Sequence, residues 1–478
     1  MYDVAIIGAG VVGGMIAREL SFYNVKICLL EKENDVATGA TKANSAIVHA
    51  GFDAKVGTLK AKLNVKGSKM MPDVAKALGV KYINNGSLVV GFNEEDEETL
   101  RELLDRGIKN GVEGLSLLNR EEILEVEPNI GKTVTCALYA KTGAIVCPYD
   151  LAVSAIGNAM DNGADLICNC EIAEIEDKGD YYLLKSKEHQ ISARYVINCA
   201  GVYSDRVAGL TGDTSFKVHP RRGEYVLLDK ECGGIISHTV FVTPSKMGKG
   251  ILVSPTVDGN LLIGPTAVDM DDKENKDTSV EFFAQILQTA ERSVSNIPKN
   301  KTITSFCGLR SVGSTGDFII NMPSPRFVNA AGIESPGLSA SPAIAEYVKE
   351  LLLESGLSLV KKENAITTRK SMHAFREASV EEKNRMIKEN PSYGKIICRC
   401  EGVTEGEILD AIRTEPKAKD LDGVKRRTRA QMGRCQGGFC SPYIIELLSK
   451  EMNIPYEKIT KFGGNSFVAT GKTKEIKK

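Results

Sequence analysis

The chain has 478 residues, 42% of them hydrophobic and 26% charged, with 61 lysines and arginines against 62 aspartates and glutamates. That length predicts two or three domains with a sizeable core, and a net charge of −1 argues against a global field for nucleic acid or membrane. No segment reaches the roughly 20 apolar residues that span a bilayer. Met1-Tyr2-Asp3 runs straight into a strand without a basic leader, so a signal peptide is not expected. The 12 cysteines are therefore expected in a reducing cytoplasm, as ligands, free thiols or small core residues.

In chain order, Asp3–Ile7 reads as a buried parallel strand. Gly8-Ala-Gly10-Val-Val-Gly13-Gly14 follows, and Val11, Val12, Met15, Ile16 and Leu20 then recur at helical spacing. A second strand, Val25–Leu30, ends at Glu31, at the distance from Gly10 where a dinucleotide fingerprint places its acid. A G-x-G-x-x-G run alone is weak, but between a strand and a helix, with this acid, it specifies a dinucleotide site. Gly8 allows the turn and Gly10 lets a pyrophosphate approach the backbone. Gly13 and Gly14 allow close helix packing, and Glu31 suits the ribose hydroxyls.

Further strands are expected at 86–92, 195–201 and through a β-rich stretch from 223 to 266, with Asp258-Gly259 as a hairpin turn. Helices are expected at 94–110, 120–127, 150–162, 279–293 and 341–354; Asn119 and Glu122 match a capping box. Residues 361–394 read as a charged, extended connector with a polar helix near 379–389, and the Gly- and Lys-rich tail, 456–478, as mobile. Between them lie Cys398-Arg-Cys400 and, well downstream, Cys435-Gln-Gly-Gly-Phe-Cys440. Two close pairs of thiolates suit zinc or an iron–sulfur cluster.

Gly39–Gly51 resembles the flavin-approaching loop of the D-amino-acid-oxidase superfamily. Asn198–Asp205 resembles that superfamily's second nucleotide-contacting strand end, and Ala331–Pro342 its C-terminal flavin motif. The resemblance implies FAD contacts at Thr41, Asn44, Ser45, Gly51, Ile172, Ala200, Gly201, Gly332, Ser335, Gly337 and Leu338, besides the glycines and Glu31 above. No second G-x-G-x-x-G unit is present, so no built-in NAD(P)H site is expected. Ile396–Ile408 and Arg426–Cys440 resemble the bacterioferritin-associated-ferredoxin-like domain, which implies a [2Fe–2S] cluster on Cys398, Cys400, Cys435 and Cys440. Reduced flavin holds two electrons and a one-electron centre lets them leave singly, a role zinc lacks. The nearby run Lys425–Arg429 and Arg434 is read as offsetting cluster charge, or as a docking patch for a redox partner, rather than as a nucleic-acid site.

The two halves together resemble the flavin-linked glycerol-3-phosphate dehydrogenases, specifically the large flavoprotein subunit of the anaerobic type. The implied fold is α/β: a Rossmann-like FAD-binding domain (1–85, 141–218, 320–360), an inserted antiparallel-sheet substrate domain (86–140, 219–319) and a small helical [2Fe–2S] domain (395–455). The implied reaction is oxidation of sn-glycerol 3-phosphate to dihydroxyacetone phosphate, with electrons leaving through the cluster to a partner subunit or quinone-linked acceptor. Further subunits are implied, one of them at the membrane, although no amphipathic anchor is legible here. Alternatives are L-2-hydroxyglutarate dehydrogenase or oxidase, whose flavin loop is similar, and an electron-transfer subunit of an amino-acid or opine oxidase complex. Alcohol oxidation needs a base and cations for the acidic end of the substrate. His49 and His219 are the candidate bases, Arg222 and Arg310 the anion holders, and Lys246 and Lys249 their assistants.

Overall fold

The computed structural model describes residues 1–244 and 250–471. β1 (Tyr2–Ile7), α1 (Val11–Ser21) and β2 (Ile27–Leu30) open the chain as expected. β1 lies parallel to both β2 and the strand Gln190–Asn198, in an eight-stranded sheet. Phe327–Ala331 adds a further parallel strand beside Gln190–Asn198. Val4, Ile6, Ile16, Leu20, Ile27 and Leu29 are fully buried between this sheet and its helices, as the short apolar runs of a parallel sheet require.

The glycines of the first turn act by packing. Gly8 has φ +107°, and a Cβ there would stand 2.4 Å from the Cys199 carbonyl oxygen. A Cβ on Gly13 would meet the Gly8 carbonyl at 2.0 Å. Gly14 lets α1 close on Ile156 of the helix Pro148–Asp161, a helix–helix rather than helix–sheet contact.

A second, nine-stranded sheet carries the expected β-rich stretch. It is antiparallel except where Thr239–Val242 runs parallel to Ser87–Gly91. Its longest pairing joins Val218–Leu228 to Thr302–Gly313, a strand that local pattern does not announce. α2 (Leu59–Ala77) is likewise unexpected, because Gly67 and Pro72 interrupt its pattern. The helix Gly337–Glu354 starts a turn earlier than predicted, with Pro342 inside it. The Asn119–Glu122 capping box forms as expected.

The segment 361–394 is not extended. It is a strap fixed along the first domain. Lys362 Nζ donates to the Asn162 carbonyl at 2.5 Å, Arg369 pairs with Asp161, and buried His373 contacts Asp150 at 2.9 Å. Its helix, Val380–Glu389, lies where predicted. The last module packs Ile397, Val403, Ile408, Leu421, Val424, Ile444 and Leu448 into its own core. The tail up to residue 471 is seated on this module rather than loose. Ile459 is buried, Thr460 bridges Phe467, and Lys461 pairs with Asp422 at 2.8 Å. No helix among the described residues is long and apolar enough to cross a membrane.

Candidate functional site

A cavity of about 470 Å³ opens at the carboxyl ends of β1 and β2, the crevice where open α/β sheets bind ligands. Of the residues expected to hold the cofactor, Gly8, Gly10, Glu31, Thr41, Asn44, Ser45, Ile172, Ala200, Gly201, Ser335, Gly337 and Leu338 line it. Gly13, Gly14, Gly51 and Gly332 do not. The first two serve packing, Gly51 turns at φ +117° against Val65, and Gly332 turns at φ +61° against Gly313.

Glu31 is the buried anchor. Its Oε2 accepts from the Ala9 N–H at 2.9 Å and its Oε1 from the Glu33 N–H at 3.0 Å. Burial pushes its carboxyl above the ordinary range, with these two N–H bonds opposing. Thr41 Oγ1 accepts from the Val11 N–H at 3.0 Å, so the flavin loop is tied to the start of α1. The cavity walls therefore combine backbone of the first turn, a helix N-terminus at Gly337, an acid and small side chains. That set fits a dinucleotide such as FAD.

At the other end stands the face of the second sheet. Antiparallel partners share a face, and Arg221 pairs with Arg310, Gly223 with Gly308 and Tyr225 with Phe306. Gly308 lets this face touch the flavin loop, since a Cβ there would stand 1.9 Å from the Ala43 carbonyl. Arg310 lines the cavity and donates to the Thr266 carbonyl at 2.7 Å; no carboxylate pairs with it among the described residues. Tyr225 is buried, stacks on Phe306, and shares a hydrogen bond of 3.2 Å with Ser45. His49 lines the cavity beside Ser335, with its ring 5.7 Å from that of Phe241.

Arg222 and His219 are placed differently from expectation. The pleat turns Arg222 to the opposite face, where it pairs with Glu224 at 3.1 Å and lies over Phe282. His219 lies outside the cavity lining, 3.5 Å from Asp269, which also holds Arg221. Lys246 and Lys249 lie outside the described residues. Sequence reasoning missed Tyr225, Lys42, Lys273 and Lys276 on the cavity wall. The alternation Gly223, Tyr225 directly after Arg221 and Arg222 is the sequence signal for Tyr225.

The four cysteines converge as two pairs. Cys400 and Cys435 sulfurs lie 3.6 Å apart, and the Cys440 thiol donates to Cys398. That bond holds the Cys398 thiol below its ordinary range, toward the thiolate a metal needs. A single zinc with bonds of about 2.3 Å would gather all four sulfurs within about 3.8 Å of one another. Here the sulfurs stand as two pairs, Cys400 with Cys435 and Cys398 with Cys440. Two pairs, each suited to one iron, fit a binuclear cluster. Cys400 is exposed, whereas Cys398 and Cys440 are buried.

Most of the basic run beside them is buried against acids rather than spread over the surface. Arg426 and Arg427 are buried and both reach Asp35, just beyond β2. Buried Arg429 pairs with Glu401 at 2.9 Å and with Asp258 of the second sheet at 2.6 Å, and donates to Asn260. Exposed Arg434 pairs with Asp229 and Glu231. Tyr149 donates to Met432 Sδ at 3.5 Å. These contacts seat the module on both sheets, next to the cavity.

The FAD dependent oxidoreductase family matches residues 3–351, and the chain belongs to it. The BFD-like [2Fe-2S] binding domain matches residues 396–450, so this is a flavoenzyme with an iron–sulfur module at its C-terminal end. Among individual relatives, it is 47% identical over 476 residues to a glycerol 3-phosphate dehydrogenase of Caloramator mitchellensis, covering 99% of each chain. A dithionite-reduced L-alpha-glycerophosphate oxidase from Mycoplasma pneumoniae with FAD bound superposes with a TM-score of 0.73 at 32% identity, covering 77% of this chain and 98% of that one. Likeness to the bovine mitochondrial L-2-hydroxyglutarate dehydrogenase is narrower: 31% identity over 291 residues, 56% of this chain and 61% of the relative.

Proposed function

We propose that the chain oxidises sn-glycerol 3-phosphate to dihydroxyacetone phosphate in the cytoplasm and passes the electrons through its cysteine module to an acceptor protein or quinone-linked carrier. The observation that carries this reading is the full-length likeness to a glycerol 3-phosphate dehydrogenase, cysteine module included. The L-2-hydroxyglutarate relatives match little more than half of the chain.

FAD, when bound, supplies the hydride acceptor. The chain's own residues do the rest. Arg310 holds the phosphate, because its guanidinium lines the cavity with no carboxylate partner among the described residues and offers paired donors. His49 takes the hydroxyl proton from its place beside the flavin loop. Tyr225 holds Ser45 and Arg310 in place by hydrogen bonds; burial raises its own pKa against the pull of Arg310, keeping its hydroxyl neutral. The apolar wall around Ile47, Leu309 and Ile333 excludes water from the reacting carbon.

Anaerobic addition of glycerol 3-phosphate should bleach the visible flavin absorbance, and L-2-hydroxyglutarate should not. Bleaching by the hydroxy acid alone would overturn the assignment.

A further inference from the structure

The loop that follows the ribose-binding acid is shared between the two cofactor sites. Glu31 faces the nucleotide cavity, and the backbone then runs through Lys32, Glu33, Asn34 and Asp35 to buried Val36 and Ala37. On the cavity side, the Ala37 N–H donates to the Ala9 carbonyl at 3.0 Å, so the loop closes on the glycine turn itself. On its far side the loop is gripped by the cysteine module. Asp35 accepts from Arg427 Nη2 at 2.7 Å, from Arg427 Nη1 at 2.8 Å and from Arg426. Asn34 donates to Asp420, which caps the helix Leu421–Thr428 that carries both arginines. Gly423 of that helix is packed so closely that a Cβ would stand 3.1 Å from Asp35 Oδ2. Arg427 is locked further by the Pro416 and Gly423 carbonyls.

We infer that the cysteine module is a clasp on the FAD-binding loop, with Asp35 as the positioning residue, so that cluster occupancy and FAD affinity are thermodynamically coupled.

The physical chain is short. A bound cluster would tie the four cysteine sulfurs together, and many small metallo-modules lose their fold when the metal leaves. The helix Leu421–Thr428 leads within seven residues to Cys435, so a cluster bound there would anchor the chain that follows it. Without that anchor the guanidinium pair leaves Asp35, and residues 31–37 lose one wall. Coupling of this kind is reciprocal: a cluster that tightens FAD must itself be tightened by FAD to the same degree. The inference rests on the cavity holding FAD and the module holding the cluster.

The test uses the full-length holoenzyme. FAD dissociation constants are measured by flavin fluorescence for wild type with the cluster intact and with it stripped by chelator, and for Asp35→Asn in the same two states. Visible circular dichroism reports the cluster. Stripping should weaken FAD about tenfold in wild type. Asp35→Asn should weaken it similarly with the cluster intact, and stripping should then add less than twofold. If Asp35→Asn does not fold, the reciprocal arm replaces it: FAD-depleted wild type should lose its cluster to chelator at about tenfold lower chelator concentration. An unchanged FAD constant after stripping overturns the coupling. So does a stripping effect that multiplies in full on top of Asp35→Asn. An enzyme that glycerol 3-phosphate still bleaches, but whose FAD constant ignores the cluster, refutes the clasp and leaves the proposed reaction standing.

Discussion

A strand's pleat sends two adjacent arginines to opposite faces of the second sheet, and each is held there by a carboxylate. Arg221 and Arg222 stand side by side in sequence, yet face opposite sides of the second sheet, and Arg222 is committed to Glu224. Arg310 arrives from the remote strand Thr302–Gly313 as the cross-strand partner of Arg221 and lines the cavity. Of these three arginines it alone lacks a carboxylate partner among the described residues. Arg310→Lys keeps the charge but loses the planar fork, and hydrogen bonds to charged groups are each worth about 1.5–3 kcal/mol. KM for glycerol 3-phosphate should rise about ten- to hundredfold in steady-state assays with an artificial acceptor. Flavin content should stay normal. An unchanged KM would remove Arg310 from the site. For His49→Asn the effect should fall on the chemical step, slowing anaerobic flavin reduction about 10²- to 10⁴-fold, the range for losing a positioned proton acceptor. Slowing of only a few-fold would move the base elsewhere. The places of His49 and Arg310 on the cavity wall were legible from sequence because each sits inside a motif. Arg222 was misleading, because which face an arginine occupies depends on register, and register was not in the motif.

Elements built from local signals were legible, and those held by remote partners were not. β1, α1 and β2 follow from an apolar run, a glycine turn and a helical period, all read between Met1 and Glu31. α2 hides behind Gly67 and Pro72. Gly67 is there because a Cβ would stand 2.2 Å from the Ser339 carbonyl of the helix Gly337–Glu354, a requirement set by an element far along the chain. The strand Thr302–Gly313 depends in the same way on Val218–Leu228. Its Gly308 is where the second sheet touches the flavin loop, so Gly308→Ala tests how closely the two elements must approach. The added methyl would fall 1.9 Å from a backbone oxygen, and neither the strand nor the loop 39–46 is a flexible side chain that can swing away. Overpacking of this kind costs about 1–3 kcal/mol. Thermal unfolding should show that loss, and FAD should bind more weakly because the loop carries Thr41, Asn44 and Ser45. If thermal stability and FAD affinity both match wild type, the loop has more freedom than the contact implies.

At the scale of the whole molecule, the cysteine motif names the cluster, but the basic run beside it is explained only by what lies across the interface. Arg426, Arg427 and Arg429 are charges taken out of water, and they are tolerable only because Asp35, Glu401 and Asp258 meet them. Removing one partner of a buried pair typically costs about 3–5 kcal/mol, since the remaining charge is left uncompensated. Asp35→Asn should therefore lower the urea midpoint for loss of the module's circular dichroism near neutral pH. The pH dependence follows from the direction of the shift. Burial alone would push the Asp35 carboxyl up, but Arg427 and then Arg426 outweigh it and hold it well below the ordinary carboxylate range. A depressed carboxyl stabilises the fold fully above its unfolded value, about 3.9, and loses that contribution as pH falls toward the folded value. The gap in urea midpoint between wild type and Asp35→Asn should thus be constant from pH 7 to about 5 and close progressively below about 4. Acids remote from this cluster titrate equally in both proteins, so the difference reports Asp35 together with its neighbour Asp420, whose carboxyl Asp35 helps to push up. A gap that persists unchanged to about pH 2.5 would mean that the ion pairs with Arg426 and Arg427 do not hold the module to the flavin domain.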